Sequence, residues 1–322
     1  MRAESRFARW ILYERECRFM DLRRLVCLLA IFCLLTGFCD ASALEAGDVC
    51  VAVGADLSED QIKDVYEIFG KKRGEVPEVT VTNAEERQYL EGLAEESVIG
   101  TRSVSCACVE ILPADSGLRV EVSNIGWCTE EMYRSALLTA GVKDAELLVT
   151  APFEVSGTAA LTGIYKAYED MSGQTLGEPE KSAGTQELVV TAELADEIGS
   201  SDAVSVVNEL KLVLGQTREM SDEELKEQID EIASDIGVEF VDSQKEQLVS
   251  LCRTLEKLNV DELKEKAEQV RETMEKLNEK AEQVQETVQK LNEAKDKAAG
   301  FIQSVQKLLS AIMEFFSSVL NK

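Results

Sequence analysis

Three places in the sequence combine residue type and spacing in ways that could do chemistry. Ser156-Gly157-Thr158 follows an apolar run and opens a helical pattern, a geometry whose free backbone N–H groups can hold an anion. Asp56, Ser58, Asp60 and Asp64 are spaced faintly like calcium-loop ligands, and Cys106-Ala107-Cys108 sets two thiols on one face of an extended strand. Each has a plainer reading, which we prefer. Glu154 would repel an anion beside Ser156 and no cation follows before Lys166, so Ser156 reads as a helix N-cap. The sixth position of a calcium loop calls for Gly but is Gln61, and Ser58-Glu59-Asp60-Gln61 is a capping box. The two cysteines fit an apolar stripe as small buried residues. Trp127 reads as core, and Glu95-Glu96 and Asp222-Glu223-Glu224 as solvated faces. No catalytic, cofactor-binding or metal-binding residue is assigned from the sequence.

Composition narrows the chemistry further. The 322 residues include no His, which removes Ser-His-Asp and Cys-His nucleophile pairs, HExxH zinc sites and imidazole shuttles. A net charge of −27, from 34 basic and 61 acidic residues, opposes nucleic-acid binding. Carboxylate acid/base work and a serine–lysine dyad stay open.

The elements that must position these residues begin after a targeting segment. Leu22-Arg23-Arg24 precedes an uncharged run from Leu25 to Cys39, and Ala41-Ser42-Ala43 supplies a small-x-small cleavage pattern. Residues 1–43 therefore read as a signal peptide, with Met20 as the true start. The apolar run is shorter than the roughly 20 residues of a spanning helix, so an anchor is the lesser reading. Cleavage lowers the net charge to −29 and leaves Cys50, Cys106, Cys108, Cys128 and Cys252, an odd set without CxxC spacing.

Residues 44–172 alternate strands with capped helices. Val49–Val53, Val79–Val81, Arg102–Leu112, Leu118–Ile125 and Glu146–Thr150 are expected strands. Capped helices are expected after Ser58, Asn83, Thr129 and Ser156, with Gly70 and Gly141 as stops. Pro113-Ala114-Asp115-Ser116-Gly117 suggests a hairpin that puts Val104, Cys106 and Cys108 on one face with Val120 and Val122. The class is α+β with a mixed sheet. Gly173–Gly184 reads as a linker, and 185–254 as a helical region containing amphipathic helices over 186–199, 202–214 and 221–236.

The tail, 255–322, is a predicted coiled-coil and amphipathic helix. One seam runs Leu263, Val270, Leu277, Val284, Leu291, Ala298, Val305, Ile312. The other runs Ala267, Met274, Ala281, Val288, Lys295, Ile302, Leu309, Phe316. Lys266-Ala267-Glu268-Gln269-Val270 recurs at Lys280-Ala281-Glu282-Gln283-Val284. Gly300 marks an expected bend, and Phe301 to Leu320 is strongly apolar on one side. The charge is uneven: 44–254 holds 16 basic and 43 acidic residues, the tail 11 and 13.

Gly54-Ala55-Asp56-Leu57-Ser58, Val81-Thr82-Asn83-Ala84-Glu85-Glu86-Arg87, Ile99-Gly100-Thr101-Arg102-Ser103 and the block from Ala151 to Gly163 resemble, in order, the YpuA-like family of bacterial extracytoplasmic proteins catalogued as a domain of unknown function. The resemblance covers roughly residues 46–255. It implies export and brings no activity, cofactor or catalytic residue. The expectation is an exported, non-catalytic protein, secreted or held at the cell envelope, that associates with itself or a partner protein through 263–320. Membrane-surface contact by 301–320 is a further expectation. The alternative is an extracytoplasmic enzyme using carboxylates or a divalent metal.

Overall fold

Apolar β-branched runs alternating with capped amphipathic stretches give, in a computed structural model, one five-stranded sheet and a set of helices packed on it. The structure describes residues 45–290 except 174, 277, 278, 281, 282 and 285. The leader, Gly300 and the segment 301–320 lie outside the described residues.

Strand β1 (Val49–Gly54) is followed by α1 (Glu59–Ile68), β2 (Glu78–Val81), α2 (Asn83–Leu90), α3 (Glu96–Ile99) and β3 (Cys106–Ile111). Then come β4 (Leu118–Val122), α4 (Glu130–Ala140), β5 (Ala145–Thr150) and α5 (Thr158–Ser172). Strand signals stop there. Helices α6 (Glu178–Ile198), α7 (Ser200–Thr217), α8 (Asp222–Ile236) and α9 (Asp242–Leu255) follow, and α10 runs over 260–276 with further helical residues to 290.

The sheet order is β2-β1-β3-β5-β4, with β1–β2 and β4–β5 parallel and the pairs involving β3 and β1 or β5 antiparallel. The expected α+β class with a mixed sheet is what the chain adopts. The expected hairpin is not: β5 lies between β3 and β4, pairing Ile111 and Leu118 with the same Ala145. The reason is legible in the strands. Ala145 to Thr150 is apolar enough to be covered on both sides, whereas in Leu118 to Val122 the exposed Arg119 and Glu121 alternate with apolar residues, as suits a sheet edge. The change of partner also separates the residues expected on one face. Cys106 and Cys108 pack with Val51 and Val53 beneath α1, while Val120 joins Ala107 and Val109 on the side of α4 and α5.

Local signals mostly hold. Ser58 and Gln61 cap α1 reciprocally, Thr129 accepts from the Met132 N–H, and Gly141 ends α4 in the left-handed conformation. Two caps shift by one residue. Thr82, not Asn83, caps α2, its backbone N–H donating to the Glu85 carboxylate at 2.8 Å. Gly157, at φ 100°, precedes α5 in place of Ser156. The Gly173–Gly184 stretch is helical from Glu178 onward. Gly184 lets α6 approach α4: a Cβ there would sit 2.5 Å from the Ala136 carbonyl oxygen.

The core has one large cluster at the sheet and a second among α6 to α9. Helix α10 joins them. Leu263 belongs to the second and Val270 to the first, with Met274 packed beside it. Lys143–Glu262 (3.1 Å) and Arg271–Glu209 (3.8 Å) fasten the same helix to the body.

Candidate functional site

Strands β1, β2 and β5 run the same way, so their carboxyl ends share one edge of the sheet with the start of β3. This is where ligands lodge in open sheets with parallel strands. All four sequence blocks quoted above converge there. Arg102 donates to the Asp56 carbonyl oxygen at 2.7 Å, and the Asp56 carboxylate accepts from the Ser103 N–H at 2.8 Å. Thr158 donates to Glu86 at 2.6 Å, Ser156 to the Val98 carbonyl oxygen at 2.9 Å, and the Ala160 N–H to Ser105 at 2.8 Å. A cavity of about 250 Å³ opens beside these residues, with Arg102 and Phe153 among its lining.

Glu86 decides what this place can do. It is fully buried, accepts from Thr158 and Asn83, and forms no ion pair among the described residues. Burial raises its pKa above the ordinary carboxylate value. Its carboxyl group lies at the amino end of α5, so the position an external anion would take is filled from within. Ser156 bonds to a backbone carbonyl and to Thr158 rather than to a base.

A second cleft, of about 620 Å³, gathers Glu95, Glu193, Asp196 and Glu197 beside Trp127. Trp127 is therefore only partly core: its indole N–H donates to Asp196 at 3.3 Å. Gln247 donates to Glu193 at 2.6 Å and Gln244 to Glu197 at 2.8 Å. Burial, and then the charges of Glu95 and Asp196, raise the Glu193 pKa. A carboxyl group in such a setting can carry a proton at higher pH than usual.

A buried polar cluster escaped the sequence reading. Glu187 on α6 accepts from Ser135 and Thr139 of α4, each at 2.6 Å, and from Lys211 of α7 at 2.5 Å. Lys211 also donates to Ser135 at 2.9 Å. Serine and lysine in contact resemble a nucleophile and its base, but Ser135 is 3% and Lys211 2% exposed, so no substrate reaches them. Burial lowers the Lys211 pKa. The signal available was two charges falling on otherwise apolar helix faces.

The other singled-out residues take structural places. Ser58 caps α1 and Asp56 holds Ser103, while Asp60 and Asp64 are exposed on α1. Among the described residues, no group of three or more His, Cys, Asp or Glu is arranged to hold a metal. Asp222 pairs with Arg253, Glu96 with Arg87, and Glu224 completes the Ser221 capping box. Cys50, Cys106, Cys108, Cys128 and Cys252 are free and buried.

The tail shows a change along its seams. Leu263, Ala267 and Val270 are 0–2% exposed, but Val284 and Val288, at the same seam positions further on, are 63% and 51% exposed. Among the described residues no helix is long and apolar enough to cross a membrane.

Over residues 53–273 the chain matches the model of a family described as "Protein of unknown function (DUF1002)". It is 42% identical over 237 residues to "Uncharacterized protein YpuA" of Bacillus subtilis (strain 168), covering 72% of this chain and 80% of that protein. No solved structure matches it. A match spanning most of the sheet, the helical region and the docked part of α10, with a relative 42% identical over 237 residues, places the chain in this YpuA-like family of proteins of unknown function.

Proposed function

We propose that this protein is an exported, non-catalytic binding component that works by associating with a second copy of itself through the tail. The observation that carries the reading is the seam: its first two heptads are used up against the body, and the same apolar stripe then emerges exposed at Val284 and Val288. A coiled-coil pattern specifies that its stripe is covered, and a repeated, nearly neutral sequence is suited to covering itself. The leader pattern in residues 22–43 supports export, and the near-neutral tail supports approach of two acidic bodies there.

The test compares the mature chain with the Val284→Asp/Val288→Asp variant by light scattering and thermal unfolding. Both sites are exposed, so the variant still folds and unfolds cooperatively, its melting temperature falling only by what association contributes and matching that of the parent at high dilution. The expected result is a dimer or larger species that becomes monomeric in the variant. A monomeric parent chain, or a variant that keeps the parent's mass, overturns the reading, as does a monomer that floats with lipid vesicles through 301–320.

The alternative, an extracytoplasmic carboxylate enzyme, draws on the cleft holding Glu95, Glu193, Asp196 and Glu197 with Glu193 shifted upward. Glu193 is the acid or base of that reading. It predicts ligand protection of the cleft that Glu193→Gln alters without changing the mass of the assembly.

A further inference from the structure

The cleft between the body and α10 is lined by five carboxylates and three cations, and one of those cations has no carboxylate partner among the described residues. It has a volume of about 590 Å³ and takes Arg134 from α4, Lys143 from the turn after α4, and Lys266 from α10. Lys143 and Lys266 share a single carboxylate, Glu262, at 3.1 and 2.9 Å. Arg134 has no carboxylate partner among the described residues. Its Nε donates to the Leu118 carbonyl oxygen at 3.3 Å, and its Nη1 is buried without a hydrogen-bond partner.

Leaving a buried N–H of a charged group unpaired costs stability, and such groups call for an explanation, often an ion or water that completes them. The absence of a partner is not for want of acid, since the chain has 61 acidic against 34 basic residues. Arg73, Arg87 and Arg253 each find carboxylates. Of the carboxylates around this cleft, Asp144 accepts from the Gly117 N–H at 2.9 Å. Glu272 pairs with Lys276 at 3.4 Å, and Asp115 and Glu265 are exposed. The cleft beside Trp127, by contrast, is lined by no Lys or Arg.

We propose that the cleft under α10 binds a small oxyanion, a carboxylate- or phosphate-bearing solute, with the Arg134 guanidinium as the directional donor and Lys143 and Lys266 as flanking charges. A charged guanidinium N–H is a strong donor to either oxyanion. Two of the cations belong to the body and the third to α10, so occupancy ties the tail helix to the body by linkage. The inference rests on the docked part of α10 and not on association beyond Val284, so either can fail without the other.

The experiment uses the mature chain, with inorganic phosphate and citrate as separate probes and sodium chloride at matched ionic strength as control. Calorimetry is expected to show saturable binding of one oxyanion per chain, with a melting temperature above that in chloride. Binding of phosphate alone identifies a phosphate-bearing solute, and of citrate alone a carboxylate-bearing one. Arg134→Gln is expected to weaken binding at least tenfold, while its melting temperature in chloride equals or exceeds the parent's because an unpaired charge is gone. Should that variant misfold, the exposed Lys143→Gln provides the second reading, with weaker binding and an unchanged fold. Equal effects of chloride and both probes, or unaltered binding in a folded variant, would overturn the proposal.

Discussion

Replacing Lys211 by Met leaves the Glu187 carboxylate 1% exposed, with the Ser135 and Thr139 hydroxyls as donors and no cation beside it. The lost contacts are a 2.5 Å ion pair and a 2.9 Å hydrogen bond to Ser135. Breaking one partner of a buried pair costs about 3–5 kcal/mol, which in a domain of this size lowers the melting temperature by roughly 6–20 °C. The double variant Glu187→Leu/Lys211→Met removes both charges at similar volume. Ser135 already has Asn208 at 3.4 Å as a second partner. The double variant is therefore expected to recover to within about 2 kcal/mol of the parent, because a buried pair can be replaced by apolar residues nearly neutrally. Urea unfolding at pH 7, read as a double-mutant cycle, measures the coupling. A Lys211→Met variant within about 1 kcal/mol of the parent, or a double variant as unstable as the sum of the singles, would refute the account of how α4, α6 and α7 are held.

Gly184→Ala should destabilise by about 1–3 kcal/mol, since its Cβ would meet the Ala136 carbonyl oxygen at 2.5 Å, although alanine is the better helix former. Gly215→Ala, with nothing within 4 Å, should stabilise by up to about 1 kcal/mol, and chemical denaturation showing the same sign for both would reject the packing argument. Burial raises the Glu86 pKa, so this group's contribution to stability is full below its unfolded value of about 4.3 and is lost as pH rises through the folded one. Glu86→Gln lacks that loss, and its melting temperature relative to the parent should climb between pH 4 and 7; a falling difference sinks the idea. Burial pushes Cys50 and Cys128 to about 12 and Cys106, Cys108 and Cys252 to about 11. Thiol titration of the mature chain at pH 8 should therefore be silent until denaturant is added, and a fast native reaction at any of the five contradicts this.

Local chemistry was readable in the sequence where one residue settles it. Ser58 with Gln61, Thr129 and Gly141 each satisfy orphan backbone groups within a single turn, and their positions needed no tertiary information. The cap of α2 slipped because Thr82 and Asn83 are both good caps with an acid three residues on, so only the geometry at Glu85 distinguishes them. Ser156 was displaced by a partner 58 residues away, Val98, which takes its hydroxyl and leaves Gly157 to make the left-handed entry to α5. The insertion of β5 between β3 and β4 is likewise a long-range choice, made by how much of each strand can be covered. The Pro113–Gly117 turn looked the same either way. The site fared worse than the fold. Glu86 meets Thr158 across 72 residues, and Lys211 meets Ser135 across 76, so no spacing pattern announces either contact.

The tail shows what periodicity can and cannot specify. A heptad requires that its stripe be covered and says nothing of the cover. Here Leu263 is covered by the helical cluster and Val270 by the sheet cluster, so the first heptads splice two parts of one body. A partner that used the whole seam would have to displace those contacts along with the Glu262 and Arg271 ion pairs, whereas one beginning near Val284 displaces none of the core contacts that hold Leu263 and Val270 among the described residues. The charge distribution points the same way. Bodies carrying the −27 of residues 44–254 repel at contact, but charges further apart than the roughly 8 Å screening length at physiological ionic strength scarcely interact. The proposed association is thus least opposed along the near-neutral stretch after the docked heptads, where the exposed stripe begins.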